Sequence, residues 1–145
     1  MPRARRLMLV GNPTMKGLFM KVAFASSDNQ CVDEHFGQAE RFCVWDISTA
    51  TAAFSGLIQL QQTPADEADR IESRCAALQD CALVYVAQIG GPAAARLVAK
   101  RIHPIKSKDN EKIESIVEKL QQVLRDNPPP WLRKAMLKAE RPAVV

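Results

Sequence analysis

A chain of 145 residues with 47% hydrophobic and 25% charged content has the size and composition of one ordinary globular domain. Its apolar runs fall far short of the roughly 20 residues that a membrane-spanning helix needs, which excludes that class and leaves no membrane partner. The net charge of +4 hints at a polyanion partner, but residues 1–21 sum to +5 and 128–145 to +3, while 22–127 sum to −4; the basicity belongs to the ends, and no nucleic-acid partner is expected.

Residues 1–19 show neither helical nor strand periodicity and are punctuated by Gly11, Pro13 and Gly17, which reads as a loose basic leader, with Met20 an alternative start. Leu7 to Val10 is too short for the apolar region of a secretory signal, so a cytoplasmic chain with its four cysteines reduced is expected. Lys21 to Ser26 reads as a first, buried strand, followed by a polar loop to Gln38. Arg41 to Ile47 is rich in aromatic and β-branched residues and predicts a second strand. Ser48-Thr49-Ala50 turns it into a third strand over about Ala52 to Leu60.

The period then changes. Ala68, Ile71, Cys75 and Leu78 recur at helical spacing within Asp66 to Leu78. Cys81 to Ala87 is a continuous apolar strand of the kind buried on both faces. Gly90-Gly91-Pro92 opens a helix to about Arg101, and Ile102 to Lys106 is a short strand that Pro104 assigns to an edge. Ile113, Ile116, Val117, Leu120, Val123 and Leu124 mark an amphipathic helix over about Asp109 to Arg125, stopped by Pro128-Pro129-Pro130. A last short helix runs from Trp131 to Glu140. Three strands followed by alternating helices and strands predict a mixed α/β sheet flanked by helices. The expected organisation is a leader over 1–19, an α/β domain over 20–127 and a proline-led basic tail helix within 128–145.

Chemistry concentrates in the loop after the first strand. Cys31, Asp33, Glu34 and His35 fall within a few residues of one another, beside Gly37. Cys and His are ligands that a soft or borderline metal accepts, and Cys31 and His35 converge if the loop turns; otherwise His35 is a hydrogen-bonded surface residue. Two donors do not close a structural zinc site, but they suit a preformed cluster that arrives with its own sulfides. Gly90-Gly91-Pro92 is either a plain strand-to-helix turn or an anion seat made of backbone amides. Arg41 offers further charge complementarity. Cys43 and Cys75 lie in apolar patterns and read as small hydrophobes, and His103 as a partly buried structural residue. Cys81 opens the central strand, where either a structural or a site role is open. A two-metal nuclease would need converging carboxylates, for which only Asp28, Asp33, Glu34 and Asp46 are at hand.

The series Lys21-Val22-Ala23-Phe24-Ala25-Ser26-Ser27-Asp28, then Val32 to Phe42 with its His35-Phe36-Gly37 core, resembles the dinitrogenase iron–molybdenum cofactor family. Asp80-Cys81, Gly91-Pro92-Ala93-Ala94-Ala95-Arg96-Leu97, His103-Pro104-Ile105-Lys106 and Pro130 to Met136 extend the similarity over roughly residues 20–140, and the Trp131-Leu132 tail is similar to the NifX branch. The resemblance implies a ribonuclease H-like three-layer fold with a five-stranded mixed sheet and no catalytic turnover. It implies transient binding of iron–molybdenum cofactor or its iron–sulfur precursor and transfer to NifE/NifN-type scaffold proteins, with a NifB-type precursor synthase and apo-dinitrogenase as further partners. His35 is then the principal ligand, Cys31 a second, and Phe36, Gly37, Arg41, Gly90 and Gly91 complete the expected cofactor site. Where other members carry a second cysteine near the end of the central strand, this chain has Ala87 and Gln88, which leaves Cys81 a weaker metal-ligand candidate.

Overall fold

The computed structural model describes residues 20–60, 67–108 and 110–140; the leader expected over 1–19 lies outside them. Along the chain run β1 (Met20–Ala25), β2 (Cys31–Val32), a 3-10 turn (Phe36–Gln38), β3 (Arg41–Ile47), β4 (Ala52–Gln59), α1 (Glu67–Ala77), β5 (Leu83–Val86), α2 (Gly91–Ala99), β6 (His103–Lys106), β7 (Glu111–Lys112), α3 (Ile113–Asp126) and α4 (Pro130–Glu140). The main sheet has the order β4-β3-β1-β5-β6. β3 is antiparallel to both β1 and β4, whereas β5 is parallel to β1 and to β6. This is the mixed sheet flanked by helices that the element order predicts, with the five strands that the resemblance implies.

Alternation along β1 decides the layers, because successive side chains of a strand point to opposite faces. Met20, Val22 and Phe24 join one core cluster with Ile113, Ile116, Val117, Leu120 and Leu124 of α3. Ala23 and Ala25 join another with Ile71 and Cys75 of α1 and Ala93 and Leu97 of α2. β1 is therefore buried on both faces, each large aliphatic side chain contributing about 1.5–3 kcal/mol. Leu132 and Ala135 of α4 belong to the first cluster, so the tail helix packs on the sheet. Its Trp131 ring meets His103 of β6 at 5.3 Å between centroids, consistent with a structural role for that histidine.

The two sheet edges differ. β6 is the edge strand that Pro104 predicts. β4 is the other edge, and its pairing with β3 shifts register between Val44 and Trp45, leaving Ser55 as an extra residue beside Gly56. The hairpin before it is tied by the Ser48 hydroxyl, which accepts from the Thr51 N–H at 2.9 Å and the Ala50 N–H at 3.2 Å.

A small second ribbon, β2 against β7, does not emerge from the sequence pattern. Its strands are two residues each, too short for a periodicity to register. It shortens the predicted third helix, which starts at Ile113 rather than near 109 because Glu111 and Lys112 are committed to the ribbon. It also anchors the β1 loop, since the Ile113 N–H donates to the Gln30 carbonyl at 2.8 Å.

Candidate functional site

The loop after β1 is built by its own carboxylates. Asp28 accepts from the Gln30 N–H at 2.8 Å, the Cys31 N–H at 3.0 Å and the Ser26 hydroxyl at 3.1 Å. The Gln30 and Cys31 amides hold its carboxyl below the usual range. Asn29 takes φ 65°, a left-handed conformation that Asn tolerates. Asp33 accepts from the Ser27 N–H at 2.9 Å and its hydroxyl at 2.5 Å. Both acids are thus spent on folding the loop.

The loop is then zipped to the end of β5. The Phe36 N–H donates to the Gln88 carbonyl at 2.8 Å, and the Ala87 N–H to the Glu34 carbonyl at 2.9 Å, around a parallel bridge between His35 and Gln88. Phe36 is fully buried and packs on Phe42 with ring centroids 5.9 Å apart. With its neighbour anchored, His35 stays exposed on a cleft of about 620 Å³. Gly37, Gln38, Arg70, Ile71, Gln88, Gly90 and Pro92 line the same cleft. It opens beyond the carboxyl ends of β1 and β5, the place where open α/β sheets bind ligands.

Its electrostatics favour an anion. Gly90 is the N-cap of α2 in an extended conformation and supplies no side-chain cap, and the first turn of α2 carries no acid. The positive end of the helix dipole therefore faces the cleft without an internal counter-charge. Arg70 adds a full cation on the α1 wall, and His35 adds a soft nitrogen donor. The mouth is open at Gly37, where a Cβ would meet nothing within 4 Å.

The predicted site residues do not all gather here. His35, Gly37 and Gly90 line the cleft; Gly91 begins α2 but is not part of the lining. Phe36 supports the site from the core instead of forming its wall. Cys31 lies half-buried on β2 opposite Lys112 and is absent from the cleft, because the Asp28 turn directs it into the ribbon. Arg41 lines a different hollow of about 400 Å³ with Ser27, Glu34, Glu40 and Gln59, and its guanidinium donates to the Ser27 carbonyl. Burial, with Asp33 and Glu40 nearby, raises the Glu34 carboxyl there. Cys81 is 2% exposed and precedes β5, whereas the cleft lies past its far end. Cys81 therefore stands at the opposite end of the four-residue β5 from Gln88 and the cleft.

Arg70, Gln38 and Gln88 are lining residues that sequence reasoning misses. Arg70 sits on the polar side of an amphipathic helix, where a ligand-facing arginine looks like any solvated one. Among the described residues no three His, Cys, Asp or Glu side chains group to hold a metal ion. Asp46 is paired with Lys21 at 3.0 Å near the start of β1, away from the cleft.

The family model for "Dinitrogenase iron-molybdenum cofactor" matches residues 20–123, from β1 into α3. The chain belongs to the dinitrogenase iron-molybdenum cofactor family. It is 43% identical over 127 residues to Protein NifX of Herbaspirillum seropedicae, covering 83% of this chain and 84% of that one. It is 38% identical over 117 residues to Protein NifY of Azotobacter vinelandii, covering 81% of this chain but 48% of the relative. A solved structure, PH0822, matches with a TM-score of 0.56 over 71% of this chain and 91% of its own, at 16% identity, a likeness of fold alone. The matched stretch contains every residue that lines the cleft of this chain. No helix among the described residues is long and apolar enough to cross a membrane.

Proposed function

We propose that this chain is a non-catalytic carrier that takes up nitrogenase iron–molybdenum cofactor or its iron–sulfur precursor in the cytoplasm and hands it on during cofactor assembly. The observation that carries this reading is the combination at one cleft: an exposed imidazole, an arginine and an uncapped helix N-terminus, with no closed ligand set. Such a site attracts an anionic cluster and offers it one soft ligand. A closed cage of four ligands would hold its metal too firmly for a carrier. The donor would be a NifB-type synthase and the receiver a NifE/NifN-type scaffold or apo-dinitrogenase. His35 is the principal ligand, Arg70 and the α2 amides hold the cluster's charge, and residues 20–127 with α4 form the binding unit.

The test is an anaerobic titration of the apo-protein with isolated precursor and, separately, with mature cofactor, followed by visible absorption and iron content. Saturable uptake of one cluster is expected. His35→Ala should weaken it by about tenfold or more, each decade being about 1.4 kcal/mol. Equal affinity in the variant would remove His35 from the site, and no uptake of either cluster by the wild type would end the carrier reading.

A further inference from the structure

Next to Arg70, α1 carries a second arginine that is buried and that no carboxylate among the described residues pairs with. Arg74 stands one helical turn after Arg70 on α1, and it is only 7% exposed. Its Nη2 donates to the Ala39 carbonyl at 2.8 Å and its Nη1 to the Arg70 carbonyl at 3.2 Å. Its Nε is buried with no hydrogen-bond partner. No carboxylate pairs with it among the described residues; Glu72, the nearby acid on α1, is taken by Arg96 at 2.5 Å and Lys100 at 3.5 Å. Burial, and then the Arg70 charge, depress its pKa from the usual arginine value.

A buried arginine is ordinarily paired, because an isolated charge loses its hydration with nothing in return. This one is secured by two carbonyls beside the cleft: that of Arg70, which lines it, and that of the buried Ala39, which follows the lining residue Gln38. A neutral donor could satisfy either carbonyl without the cost of a buried cation. The charge is therefore the feature that needs an explanation, and the uncapped α2 terminus and Arg70 converge on the same volume. We propose that Arg74 is a standing counter-charge for the cleft's ligand, so that the cleft selects a polyanionic metal–sulfide cluster whose charge supplies what the apo-protein lacks. The inference rests on the reading of this cleft as the cluster seat and adds Arg74 to the groups that hold the cluster's charge.

Arg74→Gln keeps a neutral donor for the Ala39 carbonyl and removes the charge, while Arg74→Lys keeps the charge. Binding of tetrathiomolybdate, a sulfide-bearing dianion, is measured anaerobically by calorimetry for wild type and both variants, alongside the apo melting temperature. Binding should follow the charge: about tenfold weaker in Arg74→Gln, and within about threefold of wild type in Arg74→Lys. Apo stability should not follow it, with Arg74→Gln melting no lower than Arg74→Lys. A folded Arg74→Gln that binds as tightly as wild type overturns the inference, as does Arg74→Lys failing as badly as Arg74→Gln, or a wild type that does not bind the dianion. If the wild type takes up the cofactor precursor while Arg74→Gln takes it up equally, the carrier reading stands and this inference falls. The converse result, charge-dependent dianion binding with no cluster uptake, sinks the carrier reading alone.

Discussion

Three of the four thiols are sealed in the core, and burial pushes those of Cys43 and Cys75 above the usual range. Reactivity follows thiolate fraction and access, so only half-buried Cys31 should react quickly with a disulfide reagent in the native protein. One fast thiol and three slow ones are expected, the slow phase merging with the fast one in denaturant; two fast thiols would contradict the placement of the cysteines. Tyr85 is the single tyrosine, stacked on Phe24 at 5.3 Å. Burial first, and then Glu111, push its hydroxyl up to about 12. The unfolded chain releases this proton near pH 10 while the folded chain keeps it, so the folded state binds more protons between pH 10 and 12. Stability should therefore fall as pH rises through that window, by at most about 3 kcal/mol from this group. Urea melts at stepped alkaline pH, read beside tyrosinate absorbance, check the sign; tyrosinate forming near pH 10 in the folded protein would refute it. At this scale His35 was legible because an imidazole beside glycine in a polar loop stands out. Arg70 and Arg74 were not, because helix periodicity distinguishes apolar from polar positions but not a ligand-facing cation from a solvated one.

Elements carry a second kind of information, which depends on partners distant in sequence. The strands β1, β3 and β5 could be read locally from apolar runs, and α3 from its spacing, because each is long enough for its period to show. The ribbon β2–β7 could not, since it joins two-residue segments 80 positions apart in the chain. Without that ribbon, a Cys-x-x-x-His spacing looks like a potential chelate; with it, the two side chains part company. The bulge in β4 is similar in kind. Gly56 adopts φ 154°, which side-chain-bearing residues rarely take, although a Cβ there would meet nothing within 4 Å. Gly56→Ala should thus cost about 1–3 kcal/mol through the backbone alone. Chemical denaturation would show it as a lower midpoint with an unchanged slope, and a stability equal to wild type would mean that the strand relaxes the bulge. An uncharged edge strand bent by this bulge is also a poorer template for unwanted pairing.

At the scale of the whole molecule, the cleft is a seam between segments distant in sequence that follow the neighbouring strands β1 and β5. Its walls come from the loop after β1, from α1 and from the turn into α2, and the backbone bonds of Phe36 and Ala87 span the seam. A carrier must close on its cargo and reopen for a receiver, and in this fold the inexpensive place to do so is the seam. The sheet cannot yield without exposing two cores, whereas opening the seam breaks a few hydrogen bonds near the surface. Cluster binding should therefore slow amide hydrogen exchange at Phe36, Ala87 and the first turn of α2, and leave Val22 to Phe24 at their apo rates. Exchange measured by NMR on apo and cluster-loaded protein gives the comparison. Protection spread evenly over the sheet would mean that cargo stabilises the whole fold by mass action alone. Protection confined to the seam would mean that the same few bonds that aim His35 into the cleft also set how readily the cluster is released.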